Sequence, residues 1–383
     1  MNAVPSSPTP ATERNLYIDA LRGWSIFGVV CIHFAGSFVT SDSFAWSPSF
    51  LLGLALNQGF IFAVPLFVFL SGLLASSSRR EVSLADYYRG RFRRIVVPYL
   101  VASLAAFFLL NHYLAWLDLH YAGRRAVWLL ERLLLKGVEP TFYFIPMILQ
   151  LYLLQPLFKA LPRWLNRLSP ALTTDRAALG LMAFFLALHV TLGVLCNRNV
   201  LDYYVWGRPN GLFWAFYFFA GLHFESVRHA VTPRLARAGR AIALLAAGLA
   251  VVWNFSMIFD IDVVGGSFER NRLDYAYVRP EMLIYDLAVV AILATGLLLG
   301  STARRGLATY VGRFTLEIYL WHIIVLYYGA WRYAGAIASC RELPELIVVL
   351  AASATLLIAF AADGWYRLKD FVRHHRLRLV RVG

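Results

Sequence analysis

Three ionisable residues stand inside one apolar stretch of this chain: Asp19, Arg22 and His33, within YIDALRGWSIFGVVCIHFAGSFV from Tyr17 to Val39. The stretch is long enough to cross a bilayer as a helix, since roughly 20 residues span the hydrocarbon core. Ionisable groups in such a span are costly, face a bundle interior and tend to mark function. Arg22 and His33 are eleven residues apart, which leaves them about 20° apart around a helix and about 16 Å apart along it. One helix face therefore carries a fixed cation near one end and, well inside, a group that titrates near neutral pH. That combination can move protons or handle a charged ligand. The structural alternative is an Asp19–Arg22 ion pair at helical spacing, with His33 as a hydrogen-bonded core histidine.

A second cluster is the run YYRGRFRRIVVPYL, residues 87–100. Arg91 and Arg94 share a helix face at i,i+3 spacing, with Arg93 beside them, and arginine forks suit phosphate. The same run also reads as a topology signal in contact with anionic lipid. The segment PLFVFLSGLLASSS holds Ser71 and Gly72, small residues that let a neighbouring backbone approach closely. GRFTLEIYLWHII holds Glu317 and His322, about 140° apart around a helix. Glu317 lies at a depth close to that of Arg22, so a cross-helix Glu317–Arg22 pair is expected. His322 reads equally as a core or a catalytic histidine. His189 and Asp286 stand alone in their segments and read as packing or water-cavity residues. The polar loop at about 259–280 reads as a sugar-binding loop or a solvated lid. No P-loop, nucleophile elbow, dinucleotide fingerprint or zinc spacing occurs in a supporting context, and Cys31, Cys196 and Cys340 have no paired spacing. Metal chemistry is not indicated.

The elements that must position these residues are membrane helices. The chain is 60% apolar and only 15% charged, where soluble domains carry nearer a quarter charged. Ten spans are expected, at about 17–39, 50–77, 95–115, 141–158, 178–196, 211–224, 241–258, 281–300, 314–330 and 344–366. Pro146 is expected to interrupt the fourth. The amphipathic connection 124–136 is expected to lie on the membrane surface. With the N-terminus inside, the cytoplasmic segments hold 23 Lys/Arg and the opposite segments 11, which obeys the positive-inside rule. That predicts N-in, C-in topology, and it explains the net charge of +14 without nucleic acid. The fold class is thus an all-α polytopic bundle. It comprises a Pro/Ser/Thr-rich disordered tail at 1–16, a membrane domain at 17–366 and a basic tail at 367–383. The first helix is too long and too charged for a cleaved signal peptide, and no internal repeat or appended soluble domain is evident.

These pieces, in this order, resemble the acyltransferase 3 family of integral membrane acyltransferases. The resemblance rests on IDALRGWSIFGVVCIH, FVFLSGLL, RFRRIVVPY, FYFIPMILQLYLLQP and YVGRFTLEIYLWH, and it covers about residues 15 to 366. In the fourth helix this chain has Thr141-Phe142-Tyr143-Phe144 where members often carry His-Leu-Trp-Phe, a difference that bears on the acceptor. The resemblance implies transfer of an acyl group, often acetyl, from cytoplasmic acyl-CoA to a glycan on the far side of the cell inner membrane. By position it makes Arg22 and His33 the catalytic pair and assigns Arg91 and Arg94, with Arg93, to the anionic CoA. Asp19, Glu317, His322 and Ser71 become supporting residues. Acetyl-CoA or another acyl-CoA is the implied donor, with no metal. The bilayer, a glycan acceptor and other cell-envelope glycan-assembly proteins are the implied partners. Imidazole then suits the role of base toward an acceptor hydroxyl. A proton-coupled transporter or flippase of a glycan or lipid is the competing class, because intramembrane Arg, His and Glu serve transport as well.

Overall fold

The computed structural model describes residues 15–39, 47–76, 83–119, 122–262, 276–329 and 343–382. The N-terminal tail to residue 14, most of the 259–280 loop and Cys340 lie outside them. Every element among the described residues is helical. Eight helices are long and apolar enough to cross a membrane, and two shorter apolar helices, Gly211–Leu222 and Thr315–Tyr328, accompany them. All of them fall where the sequence places spans.

Helix α1 is Leu16–Val39. The second span is two helices, α2 (Pro48–Gly59) and α3 (Ala63–Ser76), and Ser47 caps the first by accepting from the Phe50 amide. The third is α4 (Leu84–Arg91), which passes through a π-helical turn at Phe92–Val96 into α5 (Val97–Leu109). The surface connection contains α6 (His112–Leu117) and α7 (Ala122–Glu131). Val127, Leu130, Leu134 and Leu135 there are exposed, as an interfacial helix requires. Then come α8 (Phe144–Leu168), α9 (Thr174–Asn197), α10 (Gly211–Leu222), α11 (Phe224–Ala230), α12 (Pro233–Asp262), α13 (Pro280–Leu298), α14 (Leu307–Val311), α15 (Thr315–Gly329) and α16 (Glu345–Val382).

The fourth span differs from expectation. Pro146 does not interrupt it. It falls in the first turn of α8, where the missing N–H would have no helical partner in any case. The internal prolines are Pro156 and Pro162, and α8 continues through both to Leu168. Each leaves the carbonyl four residues earlier without its helical donor. The Tyr87 hydroxyl donates to Tyr152 O at 3.3 Å, and His223 Nε2 donates to Phe158 O at 3.0 Å. Neighbouring elements thus supply what the prolines withhold.

Glycines set the closest helix contacts. A side chain at Gly72 of α3 would meet the Phe218 carbonyl of α10, and one at Gly221 would meet the Phe69 carbonyl in return. The small-residue reading of the Ser71-Gly72 motif is therefore the geometry found. In the same way Gly23 of α1 faces the Ala308 carbonyl and Gly312 faces the Asp19 carbonyl, which seats α1 on α14.

Two apolar cores result. One is built from α3, α8, α9, α10 and α13, and the other from α1, α5, α15 and α16. Outside them Val101, Leu104 and Phe108 of α5 and Leu244, Leu245, Leu249 and Val252 of α12 are exposed. Such a belt suits lipid and would be untenable in water.

Candidate active site

The seam between the two cores holds a cavity of about 860 Å³. One end, its mouth, is lined by Tyr87, Arg91 and Arg94 from the third span, by Tyr152, Gln155 and Lys159 from α8, and by Ser71 from α3. Arg91 is fixed by its neighbours: its guanidinium lies 4.0 Å from the Tyr152 ring centre and 5.4 Å from that of Tyr87. Tyr87 in turn donates to Gln155 Oε1 at 2.5 Å. Lys159 Nζ donates to the Ala75 carbonyl at 2.9 Å, which ties α8 to α3 across the cavity mouth. The π turn after Arg91 keeps Arg94 on the cavity wall. Arg93 is exposed and does not line the cavity. Three cations around one mouth suit a polyanion, and guanidinium forks favour phosphate.

The cavity extends to Arg22, Ile26 and Val29 of α1 and Thr315, Leu316 and Tyr319 of α15. Arg22 Nη2 donates to Thr315 Oγ1 at 2.7 Å. The expected Glu317–Arg22 pair does not form. Glu317 instead accepts from the Tyr366 hydroxyl of α16. The reason is angular: Thr315 and Glu317 are two residues apart, about 200° around α15. When Thr315 faces α1, Glu317 must face away. Asp19 is buried on α1, one turn below Arg22.

Val29 and Tyr319 mark the inner end of the cavity, and the histidines lie a turn beyond them. The His33 and His322 rings are 5.2 Å apart, centre to centre. Nδ1 of His322 lies 2.7 Å from the Tyr319 carbonyl, so it must carry the proton. Its Nε2 is then a bare acceptor, buried and without a hydrogen-bond partner. His33 makes its ring contact with His322 and no hydrogen bond among the described residues. It is therefore not the satisfied core histidine of the structural alternative. The backbone beside it is held in place: Asn57 Nδ2 donates to the Ile32 carbonyl at 3.1 Å and accepts from Gln58 Nε2 at 2.7 Å. Arg279 reaches Gln58 Oε1 at 2.6 Å and Glu281 at 3.5 Å.

His189 and Asp286 belong elsewhere. They lie in the first core with Tyr217, whose ring is 5.1 Å from that of His189, and His189 Nδ1 donates to Phe213 O at 2.6 Å. Among the described residues no three His, Cys, Asp or Glu side chains gather as metal ligands would.

Sequence reasoning missed several members of the site. A fourth span ending at residue 158 leaves Lys159 in a loop, whereas the helix runs through two prolines to residue 168. Thr315, Asn57 and Tyr87 have ordinary identities and gain meaning only from their partners. Arg208, between α9 and α10, counted as one loop charge among many. Its guanidinium lies 4.2 Å from the Tyr143 ring centre, and it is an electrostatic neighbour of His33.

With this geometry in place, residues 15–363 match a family model described as an acyltransferase domain. No curated protein and no solved structure matches the chain.

Proposed function

The chain belongs to the acyltransferase 3 family, and we propose that it transfers an acyl group, most simply acetyl, from cytoplasmic acyl-CoA to a hydroxyl of a glycan on the far side of the cell inner membrane. One observation carries this reading. A single cavity joins Arg91, Arg94 and Lys159 at its mouth to Arg22 inside, and ends one helical turn short of His33 and His322. The anionic head of CoA suits the cationic mouth, and its thin pantetheine arm suits the seam toward Arg22. The charge bias of the loops supports a cytoplasmic mouth.

In the reaction the thioester C–S bond breaks and an ester C–O bond forms. His33, whose ring nitrogens are uncommitted to protein hydrogen bonds, takes the proton of the acceptor hydroxyl as that oxygen attacks the thioester carbon. The same proton then goes to the departing CoA thiolate, so proton and charge balance over one turnover. Arg22, on the same helix face but about 16 Å from His33 along the helix and anchored by Thr315, lies short of the reacting atoms; its charge steers the acyl end of the donor along the seam. Direct transfer is favoured over an acyl-enzyme because no Ser or Cys pairs with a base around the cavity. Both cysteines among the described residues are buried and away from its lining.

The test is an assay in proteoliposomes of known orientation. Radiolabelled acetyl-CoA is supplied at the face bearing Arg91, and a membrane-impermeant oligosaccharide only at the other. Acylation in that arrangement is expected. Activity only when both substrates share one compartment would replace the transmembrane route with cytoplasmic acylation. Movement of unmodified glycan without acyl transfer would establish the transporter reading instead.

A further inference from the structure

Beyond the histidines, the end of the bundle opposite Lys159 carries a cation without a counter-ion among the described residues. Arg208 sits in the turn before α10, and among the described residues it makes no ion pair. The turn is held from three sides. The Arg208 amide donates to the Tyr203 carbonyl at 3.0 Å, Trp214 Nε1 donates to the Arg208 carbonyl at 3.0 Å, and Gln150 brackets the next residues through Pro209 O at 3.0 Å and Gly211 N at 2.9 Å. The side chain is thereby aimed over Tyr143, with its Nε buried and without a hydrogen-bond partner. Tyr203 and Tyr277 complete its electrostatic surroundings together with Tyr143, whose hydroxyl is also its hydrogen-bonding neighbour. Tyr143 ends the short 3-10 turn Pro140–Tyr143, where the Thr141 carbonyl accepts from Tyr319. Tyr319 lies one turn before His322 on α15, with the two rings 6.0 Å apart.

Tyrosine faces compensate a guanidinium only in part. A largely desolvated cation with an unused Nε donor and no carboxylate partner among the described residues is unfavourable until an anion completes it. Arg208 is rigid, adjoins the catalytic histidines and is ringed by aromatic surface of the kind that packs against sugar faces. We propose that Arg208 is the anion-binding residue of the acceptor site, so that the hydroxyl brought to His33 belongs to an acceptor bearing an oxyanionic group, a sugar carboxylate or a phosphate. This rests on the transfer reaction above for its consequence, but not for its measurement.

The experiment uses the full-length protein in nanodiscs of zwitterionic lipid, without donor. It measures binding of three oligosaccharides of equal length: neutral, uronate-bearing and phosphate-bearing. Either charged ligand is expected to bind about 10–100-fold more tightly than the neutral one, and the tighter of the two identifies the source of the anion. Arg208→Gln should remove that preference and Arg208→Lys should keep part of it. Thermal unfolding of both variants confirms that they are folded. With acetyl-CoA added, Arg208→Gln should raise KM for the charged acceptor and leave kcat within a few-fold. Equal binding of charged and neutral ligands, or an unchanged preference in Arg208→Gln, would overturn the proposal. A fall in kcat for every acceptor with binding intact would also overturn it and would move Arg208 to the thioester. Arg208-dependent binding of a charged ligand that is never acylated would leave the anion site standing and remove the transfer reaction.

Discussion

The two ends of the seam are built on opposite plans. At the mouth, Arg91 and Arg94 come from one turn of chain and Lys159 from the adjacent helix, and all three keep contact with water. Mutual repulsion is eased there by stacking on Tyr152 and Tyr87 and by solvent screening. At the inner end, His33, His322 and Arg208 come from three distant segments, one residue each, and are enclosed by aromatic rings. Charge can be crowded where water screens it. Where water is excluded, each polar group must be placed singly and held by backbone contacts such as Asn57 on Ile32. The mouth is therefore suited to tolerant electrostatic capture, and the inner end to a geometry that small displacements spoil.

The sharpest way to break this division is at His33. His33→Ala should lower kcat by about 10²–10⁴-fold and leave the acyl-CoA dissociation constant unchanged. Single-turnover acylation beside equilibrium donor binding measures both. A loss of donor affinity with normal kcat would merge the two regions into one. The complementary change is the double variant Arg91→Ala and Arg94→Ala. It should weaken acyl-CoA binding about 10–100-fold, flatten the salt dependence of the remaining affinity and leave acceptor binding alone. If donor affinity survived, the arginines would be a topology and lipid signal only.

The same division explains what the sequence discloses. The helical fold and the span positions follow from apolar runs of bilayer length. The Arg22–His33 face follows from helix periodicity alone, because both residues lie on one unbroken helix. The mouth is legible because its arginines are neighbours in sequence. The inner end is not, since no pattern within one segment relates His322 to His33 or Arg208 to Tyr143; only packing does. The Glu317–Arg22 expectation failed for a related reason. Helix periodicity relates positions along one helix, but rotation about α15 depends on how Gly23 and Gly312 seat α1 against α14. Lys159 was hidden by its two flanking prolines, whose orphaned carbonyls are met by Tyr87 and His223 from other elements.

Lys159 gives a smaller effect that sharpens the boundary of the mouth. Lys159→Met should raise KM for acyl-CoA about 5–10-fold with kcat preserved, because its charge faces the cavity at a partly hydrated position. High salt should shrink the difference between variant and wild type. A change confined to thermal stability would reduce Lys159 to its bond with the Ala75 carbonyl.

Arg22 decides where one region ends and the other begins, since it lines the cavity yet shares the helix face of His33. Its bond to Thr315 offers a mild probe that keeps the charge in place. Thr315→Val preserves shape and removes the acceptor. A single hydrogen bond to a charged group contributes about 1.5–3 kcal/mol when buried and less where water can replace it, so a drop of about 5-fold or less is expected. Arg22 steers the acyl end of the donor toward His33, so the drop should appear in kcat, with the acyl-CoA dissociation constant unchanged. Thr315→Ser, which restores the oxygen, should recover the rate; a merely structural role for Thr315 would show instead as lower thermal stability in both variants. If donor affinity fell while kcat held, Arg22 would belong to the mouth, and the inner region would begin only at His33.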